Sequence, residues 1–181
     1  MKLIILDRDG VINEDSDDYI KSPAEWHPIP GSLEAIAQLS RTGWRVFVAS
    51  NQSGIGRGLF TYQDLFDIHA LMNQRIAELG GRLEGISFAP EHPDQASEMR
   101  KPRPGMLLDI ARRAKLSLEG VPFVGDSLSD IQAAQAAGAR PILVRSGKGR
   151  RTESGPGLEG VPIYDDLAAY VAECLARPAQ A

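Results

Sequence analysis

Met1-Lys2-Leu3-Ile4-Ile5-Leu6-Asp7-Arg8-Asp9-Gly10-Val11 is the stretch that decides the fold. Leu3 to Leu6 form a short unbroken apolar run, the pattern of a strand buried on both faces. The run stops at two carboxylates two positions apart, followed by a glycine. In an open α/β sheet, ligands sit outside the carboxyl ends of the strands, and Asp7 and Asp9 fall there. Side chains two apart on an extended strand share a face, but a chain turning at Gly10 can aim them differently. Two carboxylates in one crevice repel each other, so a divalent cation or a shared proton is the expected remedy. Taken alone, the stretch reads equally well as a charged cap on a core strand. The rest of the chain separates the two readings.

After a polar loop over 12–30, with the acidic cluster Glu14, Asp15, Asp17, Asp18 and then Tyr19, a helix is expected from Ser32 to Arg41. Leu33, Ile36, Ala37 and Leu39 carry its period, Ser32 can cap it and Gly43 closes it. Val46–Ala49 reads as a second buried strand and ends in Ser50-Asn51-Gln52. The glycine-rich run Ser53-Gly54-Ile55-Gly56-Arg57-Gly58 lacks a following Lys-Ser/Thr pair, which argues against a nucleotide P-loop; its glycines let backbone pass close to a substrate. Thr61 then caps a helix carrying Leu65, Ile68, Leu71, Met72 and Ile76. Leu83–Ala89 is a third strand candidate, and 90–104 a proline-rich segment without regular structure. Helices over 105–114, 131–137 and 167–175 alternate with strands at 121–124 and 141–144, with a Gly/Arg/Ser loop over 145–160. The basic run Arg145, Lys148, Arg150 and Arg151 reads most simply as a solvated loop. Strands alternating with helices imply right-handed crossovers. The expected fold is α/β, a three-layer Rossmann-like doubly wound parallel sheet. About twenty residues separate the first strand from its helix, too few for an inserted cap domain.

A length of 181 residues is that of one domain, expected over 1–176 with a frayed tail at 177–181. Such a chain buries about 70% of its unfolded surface without disulfide or metal staples. The net charge of −4 counts against broad attraction to nucleic acid. The single cysteine, Cys174, rules out an intramolecular disulfide and a multi-cysteine zinc site within the chain. No stretch approaches membrane-spanning length, and the first apolar run ends at Asp7 without a signal-peptide cleavage pattern. The expectation is a cytoplasmic monomer with no membrane partner.

Four strand or loop ends thus carry polar groups: Asp7 and Asp9, Ser50 and Asn51, Arg100 and Lys101, Asp126 and Asp130. In a parallel sheet these ends converge on one rim. Carboxylates offer a hard oxygen site suited to Mg²⁺. A hydroxyl, an amide and a lysine beside it are donors suited to phosphate oxygens. Together they are the equipment for phosphoryl transfer, where positioning and charge stabilisation do nearly everything.

In these residues the chain resembles the haloacid dehalogenase-like phosphatases, with all four of their motifs in order. Asp7-Arg-Asp9-Gly10-Val-Ile-Asn13 is similar to the first motif and Ser50-Asn51-Gln52-Ser53-Gly-Ile-Gly-Arg57-Gly58 covers the second. Arg100-Lys101-Pro102-Arg103-Pro104-Gly105-Met106 covers the third and Gly125-Asp126-Ser-Leu-Ser-Asp130 the fourth. The fuller strings resemble the branch that acts on heptose 1,7-bisphosphates in lipopolysaccharide heptose synthesis, with the histidinol-phosphatases as the neighbouring branch. The resemblance implies a phosphorylated sugar substrate and Mg²⁺. It implies Asp7 as the nucleophile that forms an aspartyl-phosphate, and Asp9 as acid toward the leaving oxygen and base toward water. Asp7, Asp126 and the backbone carbonyl of Asp9 would hold Mg²⁺, with Asp130 behind them. Ser50 and Lys101 would steady the transferring phosphoryl group. Asn51, Gln52, Ser53 and Arg57 would contact substrate, Arg100 its second phosphate or the sugar, and Asp15 and Tyr19 the sugar hydroxyls.

Two departures qualify the match. The branch usually carries a zinc loop of one histidine and three cysteines before the Arg-Lys pair. Here those positions are Ala89, Glu91, Ser97 and Met99, so zinc is not expected. Ser127 stands where these phosphatases often have a lysine. Rival readings are a histidinol-phosphatase, a polynucleotide 3′-phosphatase, or a non-catalytic sugar-phosphate binder on the same scaffold.

Overall fold

The first strand, β1 (Lys2–Leu6), lies at the centre of the molecule with Leu3 to Leu6 all buried. Each such side chain contributes about 1.5–3 kcal/mol on leaving water. It pairs in parallel with β2 (Trp44–Asn51) on one side and β4 (Pro122–Gly125) on the other. The computed structural model describes residues 2–176; the tail at 177–181, expected to fray, lies outside the described residues.

With β3 (Gly85–Ala89), β5 (Arg140–Val144) and β6 (Ile163–Tyr164), the sheet has six parallel strands in the order β3-β2-β1-β4-β5-β6. The chain winds outward from β1 to β3, then crosses back to β4 and winds the other way. The reversal falls between β1 and β4, and the crevice beyond their carboxyl ends is the ligand-binding position of such sheets. Asp7 follows β1 and Asp126 follows β4.

Helices cover both faces. On one, Ile4, Leu6, Val46, Val48, Val124 and Ile142 pack against α1 (Ser32–Arg41), α3 (Tyr62–Glu78) and α7 (Leu167–Ala176). On the other, Leu3, Ile5, Phe47, Ala49 and Phe123 meet α4 (Gly105–Ala114) and α5 (Leu128–Ala137). Alternate residues of β1 thus feed opposite cores, which is why its sequence shows an unbroken apolar run. Two short helices, α2 (Ser53–Gly56) and α6 (Gly149–Glu153), occupy segments whose composition reads as loop. Segment 90–104 likewise holds a short 3-10 turn at Pro93–Gln95.

Boundaries shift where side-chain hydrogen bonds outweigh the hydrophobic period. α1 is preceded by Gly31 at φ 84°, and Ser32 sends its hydroxyl to the Val11 carbonyl at 2.9 Å instead of capping. α5 starts at Leu128, three residues before the expected start at Ile131, because Ser127 and Asp130 form a capping box. Between β1 and α1, residues 7–31 hold one 3-10 turn at Pro23–Glu25 and no folded insertion. Among the described residues no helix is long and apolar enough to cross a membrane.

Candidate active site

Asp7 is fixed first by its backbone, whose N–H donates to the Val124 carbonyl across the β1–β4 seam at 2.8 Å. Its Oδ1 accepts from the Arg8 N–H at 2.7 Å and lies 2.9 Å from Lys101 Nζ. Lys101 comes from the segment between β3 and α4 and is 3% exposed. Its ammonium also meets Asp130 Oδ1 at 2.7 Å and donates to the Ala49 carbonyl at 2.9 Å. Asn51 clamps the Lys101 backbone with two bonds of 3.0 Å, donating to its carbonyl and accepting from its N–H. An amide expected to touch substrate thus also holds the lysine in place.

Asp7, Asp126 and Asp130 form one buried cluster with a carboxylate oxygen from each within 4.8 Å of the others. The loop after β5 closes over it. The Lys148 N–H donates to Asp126 Oδ2 at 2.7 Å, Thr152 Oγ1 to the Asp126 carbonyl at 2.8 Å, and Ser146 Oγ to the Gly10 carbonyl at 2.7 Å. Gly10, at φ 84°, permits this: a β-carbon there would collide with the Asp126 carboxylate. Asp130 Oδ2 also accepts from Ser127 Oγ at 2.6 Å and from the Asp126 N–H at 3.2 Å, so one carboxylate caps α5 and faces the cluster.

The Asp9 side chain points elsewhere. Arg8 grips it with Nε at 3.0 Å and Nη2 at 2.8 and 3.0 Å, while Asn13 donates at 2.9 Å and Gln52 at 2.8 Å. Its carboxylate is therefore outside the cluster, whose third member is Asp130. Gln52 splits its amide between Asp9 and Ser50 Oγ, the latter at 2.8 Å. Asp7, Asp9, Asp15, Tyr19, Asn51, Gln52, Ser53, Arg57, Arg100, Lys101 and Asp126 all line one cavity of about 320 Å³. Ser50 and Asp130 are buried just behind its wall. Tyr19 enters at φ 66°, a left-handed backbone unusual for a bulky residue.

Charges follow from this packing. Burial raises the Asp7 carboxyl well above the usual range, Asp130 adds to it, and Lys101 opposes. Asp126 is pushed up to about 7 by burial and by Asp130, with the Lys148 N–H working the other way. Burial alone would lower Lys101, but Asp130 and Asp7 reverse this and hold it charged. Burial would likewise raise Asp9, yet Arg8, Asn13 and Gln52 prevail and keep it ionised. Three carboxylates around one ammonium leave a surplus of negative charge, which a divalent cation with oxygen preference fits.

Three participants were not legible as such. Arg8, in the middle of the first motif, has no exposed surface, and its guanidinium meets Asp9 and His69. His69 lies on α3, far along the chain. Lys148, expected in a solvated loop, lines the cavity and pairs with Asp15 at 3.1 Å. Lys148 stands out in the sequence only as the basic residue preceding Gly149 in a run of four; Arg145 of that run pairs instead with Glu153 and Asp165.

The chain matches the HAD-hydrolase-like family model over residues 98–170. It is also 54% identical to a D-glycero-β-D-manno-heptose-1,7-bisphosphate 7-phosphatase of Pseudomonas putida, across 97% of this chain and 100% of that one. The chain belongs to the haloacid dehalogenase-like hydrolases. A member with a similar fold is the D,D-heptose 1,7-bisphosphate phosphatase of Bordetella bronchiseptica complexed with magnesium and phosphate, at TM-score 0.95 and 52% identity, covering 97% of this chain and 98% of that one. The corresponding phosphatase of Burkholderia thailandensis superposes at TM-score 0.78 with 44% identity over 98% and 100% of the two chains. The motif resemblance and the fold therefore name the same hydrolase family.

Proposed function

We propose that the chain is a Mg²⁺-dependent phosphatase that releases the 7-phosphate of D-glycero-β-D-manno-heptose 1,7-bisphosphate. The observation that carries this is the meeting of Asp7, Lys101, Asp126 and Asp130 at the sheet's switch point, beside a cavity that Arg57 and Arg100 also line. Relatives sharing about half the residues over nearly the whole chain support the substrate.

Asp7, Asp126 and the Asp9 carbonyl would hold Mg²⁺, with Asp130 behind them; when bound it neutralises phosphate charge. Asp7 attacks phosphorus with a carboxylate oxygen. The bond from phosphorus to the sugar oxygen breaks, and that oxygen takes a proton from the Asp9 carboxyl group. Asp9 stands as a carboxylate beside Arg8, and the negative charge of an arriving phosphate moves it toward its acid form. In the second half, the Asp9 carboxylate takes a proton from water as its oxygen attacks phosphorus. The Asp7–phosphorus bond then breaks, restoring the Asp7 carboxylate and the Asp9 acid and freeing phosphate. Lys101 and the Ser50–Gln52 pair orient the group in transfer. Arg57 and Arg100 lie close enough to repel each other, and such a pair fits a second phosphate. Asp15 and Tyr19 are assigned to sugar hydroxyls, and a cytoplasmic monomer is the state in which this reading expects the enzyme.

The test is phosphate release with Mg²⁺ and no added zinc. It compares both anomers of the heptose bisphosphate, histidinol phosphate and a 3′-phosphorylated oligonucleotide. A kcat/KM on the β anomer at least about tenfold above the others supports the assignment. Equal activity on all would remove the heptose and leave a general phosphatase. Asp7→Asn should abolish turnover while phosphate-ligand binding persists, which also separates the enzyme from a mere binder.

A further inference from the structure

Arg8 and His69 are buried, line no part of the cavity, and have no role in the steps above. Yet a fully buried guanidinium is costly unless its donors are paired. Here every branch of the fork is used. Nε and Nη2 hold both oxygens of Asp9, and Nη1 lies 3.3 Å from His69 Nε2. Arginine can only donate, so His69 Nε2 must accept and the ring must carry its proton on Nδ1. An imidazolium here would set two cations in contact. The ring itself is held by α3 and stands edge-on to Phe88 of β3, with centroids 6.2 Å apart. A relay thus runs from the sheet edge through a helix to a carboxylate in the loop after β1.

We infer that Arg8 and His69 are positioning residues for Asp9: His69 fixes the guanidinium, and the guanidinium fixes the carboxyl group in the orientation that serves the leaving oxygen and the incoming water. This rests on the acid–base reading of Asp9 given above. Asn13 and Gln52 each give the Asp9 carboxylate one bond, which leaves it free to pivot if the fork is lost. Small misplacements of a reacting group cost up to about a hundredfold in rate. A purely packing role would require only volume at position 69. A positioning role requires an acceptor at the right reach.

The experiment compares His69→Leu and His69→Gln on the sugar bisphosphate and on p-nitrophenyl phosphate, whose phenolate leaves without a proton. Asp9→Asn is the reference, and each protein is checked for an unchanged melting temperature. His69→Leu should lose about tenfold or more in kcat on the sugar phosphate with KM within about twofold. His69→Gln, which restores an acceptor, should recover to within about threefold. On p-nitrophenyl phosphate, His69→Leu and the reference Asp9→Asn should both show a burst of about one nitrophenolate per enzyme before slow turnover, because only the water step still needs Asp9. If His69→Leu fails to fold, His69→Asn, whose amide is too short to reach Arg8, takes its place with the same expected result. Equal loss in the Leu (or Asn) and Gln variants, or no loss in either, overturns the positioning role. Failure of Asp9→Asn itself to show the burst overturns the reading of Asp9, and this inference with it.

Discussion

Lys101 Nζ stands 2.9 Å from the Asp7 carboxylate, placing a buried ammonium against the residue assigned the attack on phosphorus. The same nitrogen lies 2.7 Å from Asp130, so one buried cation serves two anions. Lys101→Met keeps the stem and removes the charge. Its kcat is expected to fall by about 10²–10³-fold. Its stability should fall by about 3–5 kcal/mol, since breaking a buried pair leaves an uncompensated charge. Steady-state kinetics and denaturant melts at saturating Mg²⁺ read both. Retention of more than about a tenth of kcat would take Lys101 out of phosphoryl contact.

Mg²⁺ should stabilise the fold more above neutrality than in mild acid. The Asp126 pKa is lifted from 3.8 to about 7. Stability linked to its proton is fully present below 3.8 and is lost as pH rises through about 7. Above that point the metal-free site holds a buried Asp126 charge that is poorly solvated and faces Asp130, a cost on the order of a few kcal/mol that a bound dication relieves. Melting temperatures with Mg²⁺ and with EDTA, at about pH 8 and about pH 5.5, measure the difference. The same shift at both values would mean that burial and the nearby Asp130 do not hold a proton on Asp126 in mild acid.

The sheet and the identity of its rim were legible because buried parallel strands leave unbroken apolar runs, and Leu3–Leu6 and Val46–Ala49 are such runs. Polar residues immediately after these runs mark the rim, Asp7 just past β1 and Ser50 within the last two residues of β2. What could not be read is what depends on side-chain direction. Asp7 and Asp9 share a spacing that puts them on one face of a strand, but the turn at Gly10 aims Asp9 into the Arg8 fork and leaves its place in the cluster to Asp130. His69 carries no local signal, since its partner lies 61 residues away. β6, of two residues, and α2, of four, are too short for any period to show.

His69 also makes a prediction for stability. Burial, helped by the nearby Arg8 charge, lowers its pKa from 6.5 to about 3. A group depressed in this way contributes stability that is present above 6.5 and is lost as pH falls toward 3. The loss approaches about 1.4 kcal/mol per pH unit in that window. His69→Gln, which does not titrate, should therefore lose less stability than the parent between about pH 6.5 and 3. Denaturant midpoints of both proteins across that range decide it. Parallel curves would mean that His69 takes up its proton in the folded state as readily as in the unfolded one.

The segment before Lys101 closes on itself by side chains. Ser97 Oγ donates to the Glu91 carboxylate and accepts from the Met99 N–H at 3.1 Å, one residue from Arg100. Burial works against the Glu91 charge, yet Ser97 and the pull of Arg100 keep its pKa below the usual range. Glu91 Oε2 and Arg100 Nη1 are both buried without a hydrogen bond of their own, and the two opposite charges attract each other without forming a direct ion pair. These bonds span the positions where family members with a zinc loop carry ligands. Glu91→Ala should release Arg100 and raise KM for the heptose bisphosphate by about tenfold or more, the worth of a charge-assisted contact. A simple monophosphate, which makes no second phosphate contact, should keep its KM within about twofold, and a zinc-selective chelator should leave the parent's activity unchanged. A KM that rises equally for both substrates would mean that Glu91 supports the reacting centre and not the distal phosphate.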